Sequence, residues 1–186
     1  MTSATRPPDD RLGGRLHRLR KERGLSLRAL AARSGFSPSL LSQVENGLAS
    51  PSLSSLAKIA VALDVALGDL FARSPGLVSR TASRSGVRSA WSRAHLAAVA
   101  PRALRQLEAL VVTLEPGGRS GSTPEARPHE QVAIVLSGEV TLRLSGRRHR
   151  LRAGDGVGIP ANRLHAWSNE TRRPARLALV GGRGVR

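Results

Sequence analysis

The stretch from Ser37 to Gly47 reads SPSLLSQVENG, and four of its side chains, Ser39, Ser42, Gln43 and Asn46, fall along one helix face. None of the four is charged. Ser and Asn are poor helix formers, so a face built from them serves something other than helix stability. The chemistry it offers is short-range hydrogen bonding. A carboxamide such as Gln43 pairs with N6 and N7 of adenine, and short hydroxyls allow a backbone to come close to base edges. Ser39 and Ser42 suit bases or phosphates, Leu40 beside them suits a thymine methyl, and Ser37 and Pro38 open the same helix. Asn46 and Arg28 suit phosphates, which fix register rather than sequence. An ordinary surface face of a helical domain is the alternative reading of these residues.

Several short helices must position this face. Leu12, Leu16 and Leu19 share one side of a first helix that ends near Gly24. Ser26 caps a second, with Leu27, Leu30 and Ala31 inward and Gly35 at its C-terminal turn. Ser37 caps the third, Pro38 takes its first position, Leu41, Val44 and Leu48 form its apolar seam, and Gly47 ends it. Ser50 or Ser52 caps a fourth, carrying Leu53, Leu56, Ile59, Ala60 and Leu63. Asp69, Leu70 and Phe71 close a fifth. Helices two and three, joined by SGFS, make a helix-turn-helix unit whose third helix is the groove reader. The first helix adds Arg18, Arg20, Lys21 and Arg23 to flank a nucleic-acid backbone.

After Pro75 the period changes to short runs of β-formers, among them QLEALVVTL, QVAIVLSGEVTLRL, GVGIPA and RLALVGG. SGEV and SGRR both read as hairpin turns. Strands of this kind without a helical period indicate a sandwich or jelly roll. The expected boundaries are a disordered lead-in over 1–10, the helical domain over 11–72, a linker with irregular first strands over 73–104, and the β domain over 105–186.

The 186-residue chain holds 30 Lys and Arg against 13 Asp and Glu, a net charge of +17. That balance calls for an anionic partner, nucleic acid first; the codon usage of a GC-rich genome is the other explanation. Residues 1–72 hold 10 basic against 6 acidic residues and 73–186 hold 20 against 7, so most of the positive charge lies outside the helical part. Arg147, Arg148, Arg150 and Arg152 are its densest cluster, the last three on one strand face. Without cysteine the chain has neither disulfides nor thiolate metal sites. No apolar run approaches the roughly 20 residues of a membrane span, and the expectation is a cytoplasmic protein with no membrane partner.

LRALAARSGFSPSLLSQVENGLASPSLSSLAKIAVAL strongly resembles the DNA-binding domain of phage Cro and repressor proteins, the xenobiotic-response-element-like family, across roughly residues 12–72. The resemblance implies double-stranded DNA as partner and a homodimer on a pseudo-palindromic site. PGGRSGSTPEARPHEQVAIVLSGEVTLRL and AGDGVGIPANRLHAWSN resemble the two motifs of the cupin family, across about Gln106 to Gly181. Gly154, Asp155, Pro160, His165 and Asn169 fall where that family has its turn, a metal-ligand His and a following Asn. The family's remaining ligand positions fall on Glu125, Arg127 and Gln131, with His129 and Glu130 near but out of register. A cupin metal takes about three His and one carboxylate. His165 is the one aligned ligand, so no metal or other cofactor is expected. A slipped set of His165, His129 and Glu125 or Glu130 is the exception, and an Arg127–His165 pair suiting a carboxylate or other small anion is the alternative. Trp167, two residues after His165, lines the barrel mouth or fills the core. His17 and His149 read as solvated.

The resulting expectation is two domains: an all-α five-helix Cro/repressor-like helix-turn-helix, then an all-β cupin (jelly-roll) barrel. The combination resembles ligand-responsive bacterial transcriptional regulators, more often repressors, in which the cupin senses a small molecule through a pocket of Glu125, Arg127, His129, Gln131, His165 and Trp167. Two alternatives stand beside it. One is a metal-dependent cupin enzyme, an oxygenase or isomerase, fused to a DNA-binding domain; the missing ligands argue against catalysis. The other is an antitoxin or prophage-type repressor.

Overall fold

A computed structural model of the chain describes residues 12–71, 78–80, 86–90, 92–100, 104 and 106–182. The expected lead-in over 1–10, much of the expected linker and Trp91 lie outside the described residues.

Helix α1 (Leu12–Glu22) buries Leu16 and Leu19 and carries Gly13, an unfavourable residue for a helix. The reason is a close crossing: a Cβ on Gly13 would collide with the carbonyl oxygen of Glu45 at the end of the third helix. Helix α2 (Leu27–Ser34) starts where Ser26 Oγ accepts a hydrogen bond from the Ala29 amide at 3.0 Å, and it stops at Gly35, whose φ of 74° only glycine adopts at no cost. Helix α3 (Pro38–Glu45) is capped by Ser37, which accepts from the Leu40 amide at 3.2 Å. Helix α4 (Leu53–Ala62) is capped by Ser52 rather than Ser50, the hydroxyl accepting from the Ser55 amide at 3.1 Å. Leu16, Leu30, Leu41, Leu56, Ile59, Leu63 and Leu70 close the core between these helices.

Two expectations fail here. Leu48 is 79 % exposed, because α3 ends at Asn46 and the left-handed Gly47 turns the chain before the apolar seam reaches it. The fifth helix is a single 3-10 turn, Leu67–Leu70, too short for α-helical bonds and closed instead by Asp69 Oδ2, which accepts the Ala66 amide at 3.2 Å. Among the described residues the helical domain is four α-helices and this turn.

Among the described residues the β domain has nine strands: β1 (Gly86–Ser89), β2 (Ala94–Ala98), β3 (Leu107–Leu114), β4 (Gln131–Ser137), β5 (Glu139–Leu144), β6 (Arg147–Arg152), β7 (Gly156–Ile159), β8 (His165–Ser168) and β9 (Ala175–Gly182). One antiparallel sheet runs β1-β2-β3-β9-β4-β7 and a second runs β6-β5-β8. Leu96, Leu114, Val135, Leu142, Trp167 and Leu177 are buried between them. β1 pairs with β2 and β2 with β3, so strands within the segment read as linker and irregular first strands join the six-stranded sheet, which starts at Gly86. SGRR is a hairpin, with Ser145 and Gly146 both at positive φ and Leu144 opposite Arg147. SGEV is not. Gly138, at φ 76°, carries the chain from β4 in one sheet to β5 in the other, and a Cβ there would lie 2.8 Å from the Pro174 carbonyl oxygen.

The two domains touch directly. The Ser54 amide in the first turn of α4 donates to the Ser120 carbonyl at 3.0 Å, and the Gly68 amide donates to Glu108 Oε1 at 2.6 Å. Their apolar interiors form one contiguous cluster.

Candidate nucleic-acid interface and ligand pocket

The helix-turn-helix leaves the candidate reading face open. Ser37, Pro38, Ser39, Leu40 and Gln43 are exposed and Ser42 is half-buried, while Leu41 and Val44 on the other side of α3 are buried. Gln43 makes no side-chain hydrogen bond within the protein among the described residues, so its carboxamide is available. Arg28, exposed on α2, is likewise uncommitted. Asn46 is partly committed: its Nδ2 donates to the Ser42 carbonyl at 2.9 Å and closes the end of α3.

The first helix contributes less positive charge than its sequence suggests. Arg20 is turned inward with its side chain 5 % exposed, and its Nε and second terminal nitrogen hold the two Glu45 oxygens at 2.7 and 2.8 Å. A third bond runs from Arg20 to the Leu25 carbonyl at 2.8 Å. His17, solvated as expected with its side chain 53 % exposed, also bonds the same carboxylate at 2.8 Å through Nδ1. Burial pushes the Glu45 carboxyl up, but the bonds and charges of Arg20 and His17 outweigh it and hold the group below the usual carboxylate range. The Glu45 bond raises Arg20 against the cost of its burial. This pair ties α1 to the end of the reading helix. Its signal in the sequence is that Gly13, Leu16 and Arg20 share the inward face of α1. Of the remaining cations, Arg23 donates to the Asp64 carbonyl at 3.0 Å and Arg18 lies 3.7 Å from Glu22.

The six residues read as one sensor pocket separate into two places. Glu125, His165 and Trp167 lie within the β domain. The Glu125 amide donates to the His165 carbonyl and the His165 amide to the Glu125 carbonyl, each at 2.8 Å, which lays the Glu125 segment against β8. His165 and Trp167 are 2 % and 4 % exposed, so Trp167 belongs to the core rather than a mouth. Arg127 pairs with Glu125, 3.2 Å apart, and not with His165, whose Nδ1 meets the Arg163 carbonyl at 3.0 Å. The Glu125–Arg127 pair is incompletely satisfied: Glu125 Oε2 and Arg127 Nε are buried without a hydrogen-bond partner, as is Trp167 Nε1. Arg127, His129 and Gln131 instead border a cleft of about 400 Å³ between the β domain and α4. Glu125 bridges to His165 of β8 from outside the strand, Gln131 opens β4, and the slipped metal set does not come together. Among the described residues no three His, Asp or Glu side chains converge on one point. The Arg127 guanidinium 3.2 Å from Glu125 already occupies the carboxylate that a cation would need. The donor set does not fit a cupin metal.

The Arg-rich strand β6 is exposed but largely paired. Arg148 meets Glu170 at 2.6 Å, and Arg150 and Arg152 meet Glu139 at 2.9 and 3.1 Å. Both arginines hold Glu139 below its usual range, the bond from Arg152 contributing most. Among the described residues no helix is long and apolar enough to cross a membrane.

Residues 16–70 match the family described as Helix-turn-helix, and residues 110–181 the family described as Cupin domain. The HTH-type transcriptional regulator SutR of Escherichia coli is 29 % identical over 154 residues, covering 83 % of this chain and 84 % of its own. The HTH-type transcriptional regulator PuuR of the same species is 27 % identical over 161 residues, 84 % of this chain and 86 % of its own. A crystal structure of an HTH_3 family transcriptional regulator from Vibrio cholerae superposes with a TM-score of 0.74 at 28 % identity, over 94 % of this chain and 96 % of that one.

Proposed function

We propose that this chain, which joins a helix-turn-helix domain to a cupin domain, is a sequence-specific DNA-binding transcriptional regulator whose cupin domain senses a small molecule. The observation that carries this reading is the exposed and uncommitted Gln43 with Ser39 beside it, on the second helix of a helix-turn-helix whose ends are capped and whose inner face is buried. In the major groove the N-terminal half of α3 meets base edges. Gln43 reads adenine, Leu40 packs on a thymine methyl, and Arg28 with Ser37 and Ser42 holds phosphates. Relatives of similar length are named transcriptional regulators, which favours regulation over catalysis, and the resemblance to Cro and repressor proteins favours repression.

A single reading helix covers about one half-site, so a homodimer on a pseudo-palindrome, with half-sites about 34 Å apart, is the assembly the function needs. Regulation then requires that the effector bind DNA-competent and DNA-incompetent arrangements with different affinity. Arg127, which lines the cleft beside α4, supports an anionic effector, because a guanidinium attracts a carboxylate.

The experiment is selection of bound genomic fragments by the full chain, followed by affinity measurements on the selected site and on random DNA. Gln43→Ala lowers affinity for the selected site by about 1–3 kcal/mol and leaves random DNA unchanged. Arg28→Ala weakens both alike and reduces the salt slope by about 1. Equal losses for Gln43→Ala on both DNAs would sink the base-reading role.

A further inference from the structure

The cleft between the domains has walls of opposite character. On the helical side Ala57, Ala60, Val61 and Val65 make an apolar surface; on the β side Arg127, His129 and Gln131 present polar groups. Arg127 spends one bond on Glu125, while His129 and Gln131 make no side-chain hydrogen bond among the described residues. Gly181 and Gly182 at the end of β9 give these side chains their room: a Cβ on Gly181 would lie 2.9 Å from Gln131 Cγ, and one on Gly182 would lie 3.2 Å from His129 Cβ. Two carboxylates also border the cleft. Glu108 is engaged by the Gly68 amide at 2.6 Å, and Asp64 is exposed at the rim. Arg127, its side chain 13 % exposed, is the arginine that lines the cleft.

We infer that this interdomain cleft, rather than the interior of the β domain, is the effector site, and that it takes a small carboxylate with a compact apolar body. The carboxylate meets Arg127, with Gln131 and His129 beside it, and the body lies on α4. The volume of about 400 Å³ is in the range of small-molecule pockets, whereas His165 and Trp167 are packed in at 2 % and 4 % exposure. The position also supplies what regulation needs. A ligand touching both α4 and the β domain has an affinity that depends on how the two sit together, and that difference is the coupling to DNA binding. The inference rests on the sensor reading above and assigns its site and ligand class.

The probe is 4-fluorobenzoate, with 4-fluorobenzylamine as its cationic counterpart, each followed by fluorine NMR on the full chain without DNA. The expected result is binding of the benzoate and none of the amine. Val61, 55 % exposed on α4, tolerates Val61→Glu without loss of fold, and the added charge weakens benzoate binding at least tenfold. Arg127→Gln abolishes it; if that variant unfolds because Glu125 is left buried and unpaired, Val61→Glu decides alone. Absence of benzoate binding, preference for the amine, or unchanged affinity in Val61→Glu overturns the proposal. The readout is independent of DNA, so a chain that selects operator fragments but fails here remains a regulator with its sensor site elsewhere. A chain that binds the probe but selects no DNA keeps the cleft and loses the regulator.

Discussion

Removing the Glu45 carboxylate leaves the Arg20 guanidinium 5 % exposed and without its counter-charge. A buried cation in that state costs more than the pair contributes when intact, typically about 3–5 kcal/mol. Glu45→Ala therefore lowers the unfolding free energy by about that much, measured by urea titration of the full chain, and a loss under 1 kcal/mol contradicts the role. The same group fixes a pH response. Its folded pKa lies below the unfolded value of about 4.3, so its contribution is complete above that value and disappears as pH falls through the folded pKa. Acidification below about pH 4 thus weakens the tie between α1 and α3. The caps and the exposed face of α3 were legible in the sequence because capping and helical period are local: Ser26, Ser37, Gly35 and Gly47 each act within one turn. The Arg20–Glu45 pair joins residues 25 apart, and nothing local in VENG announces that its Glu faces inward.

At the level of elements, period separated helices from strands, and turn chemistry placed SGRR correctly between β5 and β6. It misread SGEV because a positive-φ Gly serves a hairpin and a crossing between sheets equally well; the difference lies in partners, β9 and β7 for β4 against β6 and β8 for β5, which sequence does not carry. The spacing of the candidate sensor residues was hard to read for a related reason. Counting positions assumed one continuous strand, but Glu125 is an isolated bridge partner of His165, and β4 starts only at Gln131. The element that joins the domains is the loop before that bridge. The Ser120 amide donates to the Trp167 carbonyl at 2.8 Å, the Trp167 amide donates to Ser120 Oγ at 3.1 Å, and the Ser120 carbonyl accepts from Ser54 on α4. Next to it a Cβ on Gly121 would collide with the Ser54 side chain. Gly121→Ala forces α4 and β8 apart at an overpacking cost of about 1–3 kcal/mol. For a chain of this size each kcal/mol lowers Tm by about 2–4 °C, so differential scanning calorimetry is the check. An unchanged Tm with unchanged cooperativity shows that the contact does not couple the domains.

For the molecule as a whole, the net charge of +17 makes association of two copies unfavourable wherever their arginines meet. One face escapes this. On the outer side of the six-stranded sheet β4 presents Val132, Ile134 and Leu136, exposed at 50, 42 and 46 %, with Val180 opposite Val132 on β9. The neighbouring positions on β7 are Gly158 and Gly156, which leave the surface flat. An exposed apolar patch of this kind marks an interaction site. A second copy is its best occupant, because a two-fold axis sets the same apolar surface against itself, with Arg176 at its edge, while the paired arginines of β6 belong to the other sheet. Ile134→Asp brings two carboxylates near that axis in a dimer and, at 42 % exposure, costs the monomer little. The parent sediments at about twice the 19.7 kDa of one chain and the variant at the mass of one. Binding to a single half-site is then retained, while affinity for the full palindrome drops by about 10²–10⁴, the gain that linking two reading helices supplies. If Ile134→Asp sediments as the parent does and binds the palindrome equally well, the two reading helices are joined through another surface.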